Sequence, residues 1–203
     1  MSEKTIVVLV SGRGTNLQAI TEATQSGFIP GRISLVISDI PEAYALVRAQ
    51  KAMIPTLVLD HQTFSGKKEY ESRLLEVLEK ENPSVICLAG YMRMVGKIII
   101  SRFYRQILNI HPSLLPAFPG LDAQKQALEY GVKVSGCTVH FVDEGMDTGP
   151  IIFQVPVLVK DVDTVETLSR SILEYEHTIY VKAIKMFLEQ KLVVIGRTVK
   201  TKE

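Results

Sequence analysis

The sequence has little cysteine. Its two cysteines, Cys87 and Cys137, lie far apart within apolar stretches. Two distant thiols argue against a disulfide-rich scaffold and against a cysteine-rich zinc site. We therefore expect the chain to work in a reducing, cytoplasmic setting.

An excess of charge of either sign is also lacking. Lys and Arg number 23 against 22 Asp and Glu, which leaves a formal net charge of +1. No basic run is long enough to form an electrostatic footprint for nucleic acid. The expected ligands are therefore small molecules, with no nucleic-acid partner.

Long hydrophobic runs are absent as well. The apolar run Thr5–Val10 is too short for the core of a signal peptide, and no stretch of about 20 apolar residues could span a membrane. No membrane partner is expected. The chain has 203 residues, of which 46% are apolar and 22% charged, and these values favour a single globular domain over residues 1–203.

The first half of the sequence alternates strand and helix patterns. The β-branched run Ile6–Val10 is continuous, as in a strand buried on both faces of a parallel sheet. A helix is predicted to begin near Thr15 or Asn16, which are both good capping residues. Further strands are predicted over 33–38, 56–59 and 85–88, with helices over 43–51 and 67–79. This alternation predicts a parallel sheet with right-handed crossovers.

The second half is less regular. We predict a helix near 95–104, a strand over 107–110, a stiff proline-rich loop over 111–120, a helix over 123–130, and strands over 135–142, 151–158 and 192–195. A long amphipathic helix is predicted over 164–189, with Asp163 as its N-cap. The whole pattern predicts an α/β fold, a single-domain and mostly parallel twisted sheet with helices on both faces.

A glycine-containing turn, Ser11–Asn16, follows the first strand. Its glycines allow an anion to approach the backbone, and the amides of a helix N-terminus point towards that anion. We favour a monophosphate as the ligand. A dinucleotide is an alternative, because Gly12 and Gly14 begin its fingerprint and Asp39 could bind a ribose, but Leu17 occupies the third glycine position. A purely structural turn is the remaining interpretation.

The second candidate site is Asn109-Ile-His-Pro112, at the end of a strand where ligands of open α/β sheets bind. Side chains alternate across a strand, so Asn109 and His111 share one face. Asn109 could donate a hydrogen bond to a carbonyl oxygen, with His111 as proton donor or electrostatic stabiliser. Alternatively, both side chains could satisfy backbone groups of the loop.

Two further segments, the acidic turn 143–150 and the pair Glu176-His177, complete the candidate sites. A carboxylate of the turn 143–150 could orient a histidine and raise the pKa of its imidazole, although acidic turns are commonly solvated loops. A metal site formed by His111, His140 and Asp147 is a weaker alternative, and the spacing of the histidines leads us to expect no metal. Glu176-His177 in the long helix could form a surface salt bridge or contact a polar ligand.

Four segments of the sequence form a recognisable set: Ser11–Asn16, Leu88–Arg93, Asn109–Pro116 and Val139–Ile151. Together they resemble the formyltetrahydrofolate-dependent formyltransferase family, and within it the group that formylates phosphoribosylglycinamide in purine (IMP) biosynthesis. The resemblance extends over almost the whole chain. It implies a Rossmann-like formyltransferase fold and one-carbon transfer from 10-formyltetrahydrofolate, which acts as cosubstrate.

The resemblance also implies which residues bind each substrate. Residues from about 1 to 100 would form a phosphate-binding half, and residues from about 101 to 203 a folate-binding and catalytic half. The acceptor, phosphoribosylglycinamide, would contact Arg13, Gly14, Thr15, Asn16 and Glu176. 10-Formyltetrahydrofolate would contact Lys67, Met92, Arg93, Met94, Val95, Asn109, Asp143, Glu144, Gly145, Met146 and Asp147. Lys67 replaces a frequent arginine, and a lysine cannot make the planar two-bond contact of an arginine.

For catalysis, the resemblance implies that Asn109 and a protonated His111 stabilise a tetrahedral oxyanion. Asp147 would keep His111 charged. A formyltetrahydrofolate deformylase, in which water attacks the formyl group, is the alternative enzyme. A nucleotide-binding module is the alternative without catalysis, and by analogy we expect a monomer or a weak homodimer.

Overall fold

Strands and helices alternate along the chain in the computed structural model, which describes residues 4–202. The elements are β1 (Thr5–Val10), α1 (Thr15–Gln25), β2 (Arg32–Ser38), α2 (Tyr44–Lys51), β3 (Thr56–Val58), α3 (Lys67–Glu81), β4 (Val85–Leu88), α4 (Lys97–Arg102), β5 (Ile107–His111), α5 (Ala123–Tyr130), β6 (Val134–Phe141), β7 (Ile151–Leu158), α6 (Val165–Leu188), β8 (Leu192–Ile195) and β9 (Thr198–Thr201). A short 3-10 helix, His61–Thr63, precedes α3.

The strands of residues 4–202 join into one sheet in the order β3-β2-β1-β4-β5-β6-β7-β9-β8. The first five strands pair in parallel. β6 is antiparallel to both β5 and β7. β9 meets β7 at the single pair Ile151↔Thr198 and forms an antiparallel hairpin with β8. The sheet is therefore mostly parallel, as the sequence predicts.

The continuous apolar run of β1 is explained by its position between two hydrophobic cores. Ile6, Val8 and Val10 face a core that includes buried residues of α1 and α6. Val7 and Leu9 face the opposite core, which includes buried residues of α3 and α4. Since helices cover both faces, both sets of side chains must be apolar. The prediction of helices on both faces is confirmed.

Several local predictions need correction. Gly14, in the left-handed conformation, is the N-cap of α1, so neither Thr15 nor Asn16 caps it. α4 is shorter than the predicted 95–104, because the chain is still extended at Gly96. α6 is capped by Thr164, whose hydroxyl accepts from the Thr167 N–H, whereas the predicted cap Asp163 accepts from the Thr167 hydroxyl.

The sheet topology brings the candidate segments together. β1, β4 and β5 run in the same direction, and Leu88 at the end of β4 pairs with Asn109. The loops that follow these parallel strands therefore open at one edge of the sheet, which is where α/β proteins bind ligands. Within residues 4–202, no helix combines the length and apolarity needed to cross a bilayer.

Candidate active site

Four polar side chains converge above β5 and β6. Asn109 and His111 share a face of β5, and His140 projects from the paired position on β6, opposite Asn109. Asp147 reaches this group from the turn after β6, with Oδ2 at 3.3 Å from His111 Nδ1 and Oδ1 at 3.4 Å from Asn109 Nδ2. The structure thus brings together the three predicted catalytic residues and adds His140.

His111 is enclosed by acceptor oxygens. Its Nε2 lies 2.8 Å from the carbonyl oxygen of Phe118, and its Nδ1 faces Asp147. Two acceptors favour the imidazolium form, but burial outweighs them and lowers the pKa of His111 below its ordinary value. Asp147 raises this pKa, as expected, but removal of the ring from water has the larger effect, so the net shift is downward and the expected charged His111 is not obtained.

Asp147 is held in place by the backbone around it. Its own backbone is left-handed, with φ of 54°, and its Oδ2 accepts from the Gly120 N–H at 2.8 Å. The carbonyl of the next residue, Thr148, accepts from Arg197 Nη2 at 2.7 Å. Burial raises the pKa of Asp147. The His140 ring, the Gly120 N–H and the charge of His111 together have the larger, opposite effect and bring the pKa below its ordinary value, so the carboxyl remains ionised.

His140 is a site residue that we did not predict to act in catalysis. Its Nδ1 donates to the Phe141 carbonyl oxygen at 2.8 Å. Its Nε2 lies 3.2 Å from Asn109 Nδ2 and 3.6 Å from Asp147 Oδ1, and these contacts restrain the orientation of the amide. In residues 4–202, no group of three or more His, Cys, Asp or Glu side chains is arranged to hold a metal ion.

The turn after β1 has the geometry of an anion site. Gly14 begins α1 with φ of 72°, and Arg13 is exposed beside it. Thr15 is half-buried in the first turn of the helix, and Asn16 is buried. Asn16 Nδ2 donates to Glu176 Oε2 at 2.8 Å, while Asn16 Oδ1 has no partner among the described residues. The predicted acceptor residues are therefore neighbours in space, although Glu176 is far away in sequence.

Gly14 is expected to tolerate no side chain. A Cβ at Gly14 would lie 2.6 Å from Ala45 Cβ in addition to adopting a left-handed backbone. We expect Gly14→Ala to lower the free energy of unfolding by about 2–4 kcal/mol, measured by urea denaturation. Gly27→Ala is the matched control, because Gly27 has a similar φ of 75° but open space around its Cβ. Equal losses for the two variants would show that the contact with Ala45 is unimportant.

Glu176 is a buried carboxyl whose pKa is raised by removal from water, with a smaller opposing effect from Asn16. A raised folded-state pKa means that stability is lost as the pH rises above the ordinary value of 4.5. We expect Glu176→Gln to be more stable than the wild type at pH 7 in urea denaturation, with the difference shrinking below pH 4.5. The exposed Glu174→Gln on the same helix is the control. A Glu176→Gln variant that is less stable at pH 7 would contradict this expectation.

Asp39 does not lie free to bind a ribose. It is buried, and its carboxylate accepts from the Ser11 hydroxyl at 2.6 Å. Ser11 in turn accepts from the Met92 N–H at 2.9 Å. These contacts connect the ends of β1, β2 and β4, so the dinucleotide interpretation loses its ribose-binding acid.

Most of the predicted folate residues fall into two groups, one around a cavity beside α3 and one in the turn between β6 and β7. Lys67, Met92, Arg93 and Met94 line a cavity of about 300 Å³, together with Tyr70 and Glu71. Val95 instead packs against the core that contains α3 and α4. A larger, open groove of about 990 Å³ between α1 and α6 contains none of the predicted substrate-binding residues.

The remaining predicted folate residues lie in the acidic turn between β6 and β7. Asp143 Oδ1 accepts from Gly145 N–H at 3.1 Å and from the Thr148 hydroxyl at 2.6 Å, which shapes the turn. Glu144 pairs with Lys97 at 2.6 Å. Met146 is half-exposed. The turn is therefore shaped by hydrogen bonds of its own side chains, while Glu144, Gly145 and Met146 remain exposed.

The formyl transferase family matches residues 4–184 of this chain. A phosphoribosylglycinamide formyltransferase of Bacillus subtilis is 41% identical over 185 residues, which make up 91% of this chain and 95% of that protein. The trifunctional purine biosynthetic protein adenosine-3 of Gallus gallus is 45% identical over 181 residues, 89% of this chain. The matched region is only 18% of that protein, so the chain spans a small part of the trifunctional relative.

Solved structures show the same relationship. Glycinamide ribonucleotide transformylase 1 from Symbiobacterium toebii has a TM-score of 0.97 and 51% identity, covering 99% of this chain and 95% of that chain. A formyltetrahydrofolate deformylase from Pseudomonas syringae has a TM-score of 0.91 and 25% identity, covering 100% of this chain and 67% of that chain. The match over residues 4–184 and the agreement in fold lead to one conclusion: the chain belongs to the formyl transferase family.

Proposed function

We propose that this chain transfers the formyl group of 10-formyltetrahydrofolate to the amine of phosphoribosylglycinamide, a step of purine biosynthesis. The observation that carries this proposal is the convergence of Asn109, His111 and Asp147 at the sheet edge where the anion-binding turn also opens. The named relatives that match this chain over nearly their full length support the same acceptor.

Each substrate has a proposed place. The phosphate of the acceptor lies against the Arg13–Asn16 turn, where backbone amides and the helix N-terminus favour an anion. Glu176 and Asn16 contact the sugar or amide of the acceptor. The folate lies along Lys67, Met92–Val95 and the turn Asp143–Asp147. The chain thus works as one domain with a phosphate-binding half and a folate-binding half.

The reaction begins when the acceptor amine attacks the formyl carbon. A carbon–nitrogen bond forms while the electron pair of the C=O π bond moves to the oxygen. Asn109 donates to this oxyanion, and its long 3.4 Å contact with Asp147 is the one that the oxyanion replaces. His140 keeps the amide in the required orientation throughout.

The attacking nitrogen must then lose a proton. Burial lowers the pKa of His111, so its imidazole is neutral at pH 7 and accepts this proton. The resulting imidazolium is stabilised by Asp147 and lies beside the oxyanion. The oxyanion then re-forms the C=O π bond while the bond between the formyl carbon and the folate nitrogen breaks. That nitrogen takes the proton back from His111, and tetrahydrofolate leaves. His111 is therefore neutral at the start of the cycle and charged at the intermediate.

A deformylase is the second candidate, because the Pseudomonas syringae enzyme has the same fold. The same four side chains could serve an attacking water. A hydrolase has no use for the phosphate-binding turn or for the buried Asn16–Glu176 pair, so these features favour the transferase. We also propose that this small-molecule enzyme acts in the cytoplasm, which suits its two free cysteines. By analogy we propose a monomer or weak homodimer, and the histidine spacing favours an enzyme without a metal.

The deciding experiment follows folate absorbance with purified protein and 10-formyltetrahydrofolate, with and without phosphoribosylglycinamide. Loss of the formyl group only with the acceptor present, together with formation of formylglycinamide ribonucleotide, is the expected result. Loss without the acceptor would identify a deformylase. No loss in either case would overturn the proposal and return attention to a binding module.

A further inference from the structure

Helix α6 contacts both halves of the site from one face. Glu176 and Tyr180 are one helical turn apart, so they lie on the same side of the helix. Both are buried against the sheet. Glu176 accepts from Asn16 in the anion-binding turn. Tyr180 reaches in the other direction, towards the ends of β4 and β5.

The Tyr180 hydroxyl lies 3.0 Å from the carbonyl oxygen of Leu88 and 3.0 Å from that of Leu108. Leu108 directly precedes Asn109 on β5. Leu88 ends β4 and pairs with Asn109 across the ladder. A single hydroxyl hydrogen is thus shared by the two strands that set the position of the catalytic amide.

Packing alone does not call for this hydroxyl. Tyr180 is completely buried among apolar residues, and its hydroxyl also contacts the Cys87 thiol of β4. A phenylalanine would fill nearly the same volume. A buried hydroxyl costs free energy unless it is hydrogen-bonded. The hydrogen bonds to the Leu88 and Leu108 carbonyl oxygens offset that cost. The role of the Tyr180 hydroxyl therefore depends on its position between β4 and β5.

The ladder between β4 and β5 explains why that position matters. It has three pairs, and Leu88↔Asn109 is its last within residues 4–202. Beyond this pair no backbone ladder joins β4 to β5 in the described part of the chain, although Leu88 also pairs with Leu9 and Asn109 with His140. Tyr180 joins the two strands at this last pair.

We infer that Tyr180 is a positioning residue for Asn109, holding the carboxyl ends of β4 and β5 together so that the amide meets the developing oxyanion. This inference rests on the proposed formyl transfer. Glu176, which precedes Tyr180 by one turn of α6, contacts Asn16 in the anion-binding turn. The helix therefore fixes the acceptor site and the catalytic amide relative to each other.

The test is the isosteric variant Tyr180→Phe, assayed for formyl transfer at a temperature well below its unfolding midpoint. We expect kcat to fall about 10-fold while KM for both substrates changes less than about twofold, because misplacing a catalytic group affects the transition state more than binding. Thr21→Val is the matched control, since it removes another buried hydroxyl that donates to a backbone carbonyl. It should retain wild-type kcat.

A double-mutant cycle separates positioning from general loosening. If Tyr180 acts through Asn109, Tyr180→Phe should lower kcat in the wild type but have no further effect in Asn109→Ala. An equal loss in both backgrounds, or an unchanged kcat in Tyr180→Phe, would overturn the inference while the proposed function stands. A wild-type protein that transfers no formyl group would overturn the proposed function and the inference with it.

Discussion

His111→Ala is expected to lower kcat for formyl transfer by about 1000-fold, because removing one group that stabilises charge at a transition state typically costs a factor of about 100–1000 and His111 also takes the amine proton. The wild type should lose kcat/KM only as the pH falls below the ordinary histidine value of 6.5, since burial lowers the pKa of His111. This acidic limb should be missing from the variant. Stopped assays of formylated product across pH measure both effects.

The acceptor site provides the control for His111→Ala. The described contacts of the anion-binding turn are with residues such as Glu176 and Arg48 rather than with His111. Binding of phosphoribosylglycinamide, measured by calorimetry, should therefore stay within about twofold of the wild type. A variant with wild-type turnover would refute the role of His111. Lost acceptor binding would instead mean that the substitution had disturbed the fold.

Asp147→Asn is expected to lower kcat by about 100-fold or more, because the neutral side chain keeps its shape but no longer stabilises the imidazolium that forms beside the oxyanion. The variant should also be less stable than the wild type at neutral pH. The pKa of Asp147 is lowered from its ordinary value of 3.8, so its contribution to stability is present above pH 3.8 and is lost as the pH falls through the folded-state pKa.

Urea denaturation at several pH values tests the second part of this prediction. The difference in free energy of unfolding between wild type and Asp147→Asn should shrink below pH 3.8. Asp161→Asn is the control for removal of an acidic group, since Asp161 is exposed and pairs with Lys133 away from the site. An Asp147→Asn variant with kcat near that of Asp161→Asn would contradict the assigned role.

The parts of the fold set by local pattern were predictable. β4, α5, β7 and β8 have the bounds that their apolar patterns predict, and Asn109 and His111 share a face because strand side chains alternate. The hairpin partner β9 was missed, because its four residues, Thr198–Thr201, include only one apolar side chain, Val199. A strand of that composition has no hydrophobic periodicity to detect.

What the sequence could not provide was the pairing between distant segments. His140 enters the site because β6 runs antiparallel to β5 in the register that places it opposite Asn109, and no local pattern fixes that register. The protonation state of His111 also depends on how completely the loop around Phe118 covers the ring. A carboxylate neighbour can be guessed from motifs, but the extent of burial that opposes it cannot.

Among the described residues, 4–202, β7 and β9 meet at a single pair, which leaves most of β7 without a strand on that side. A strand in this situation presents backbone donors and acceptors to which a strand of another molecule could add, and such pairing is a common start of aggregation. Pro156 lies in the middle of β7, opposite Gly136 of β6. A proline has no N–H and is tolerated in a strand where that group would face solvent. Pro156 therefore interrupts the row of donors on this open side, which disfavours the addition of a strand from another molecule.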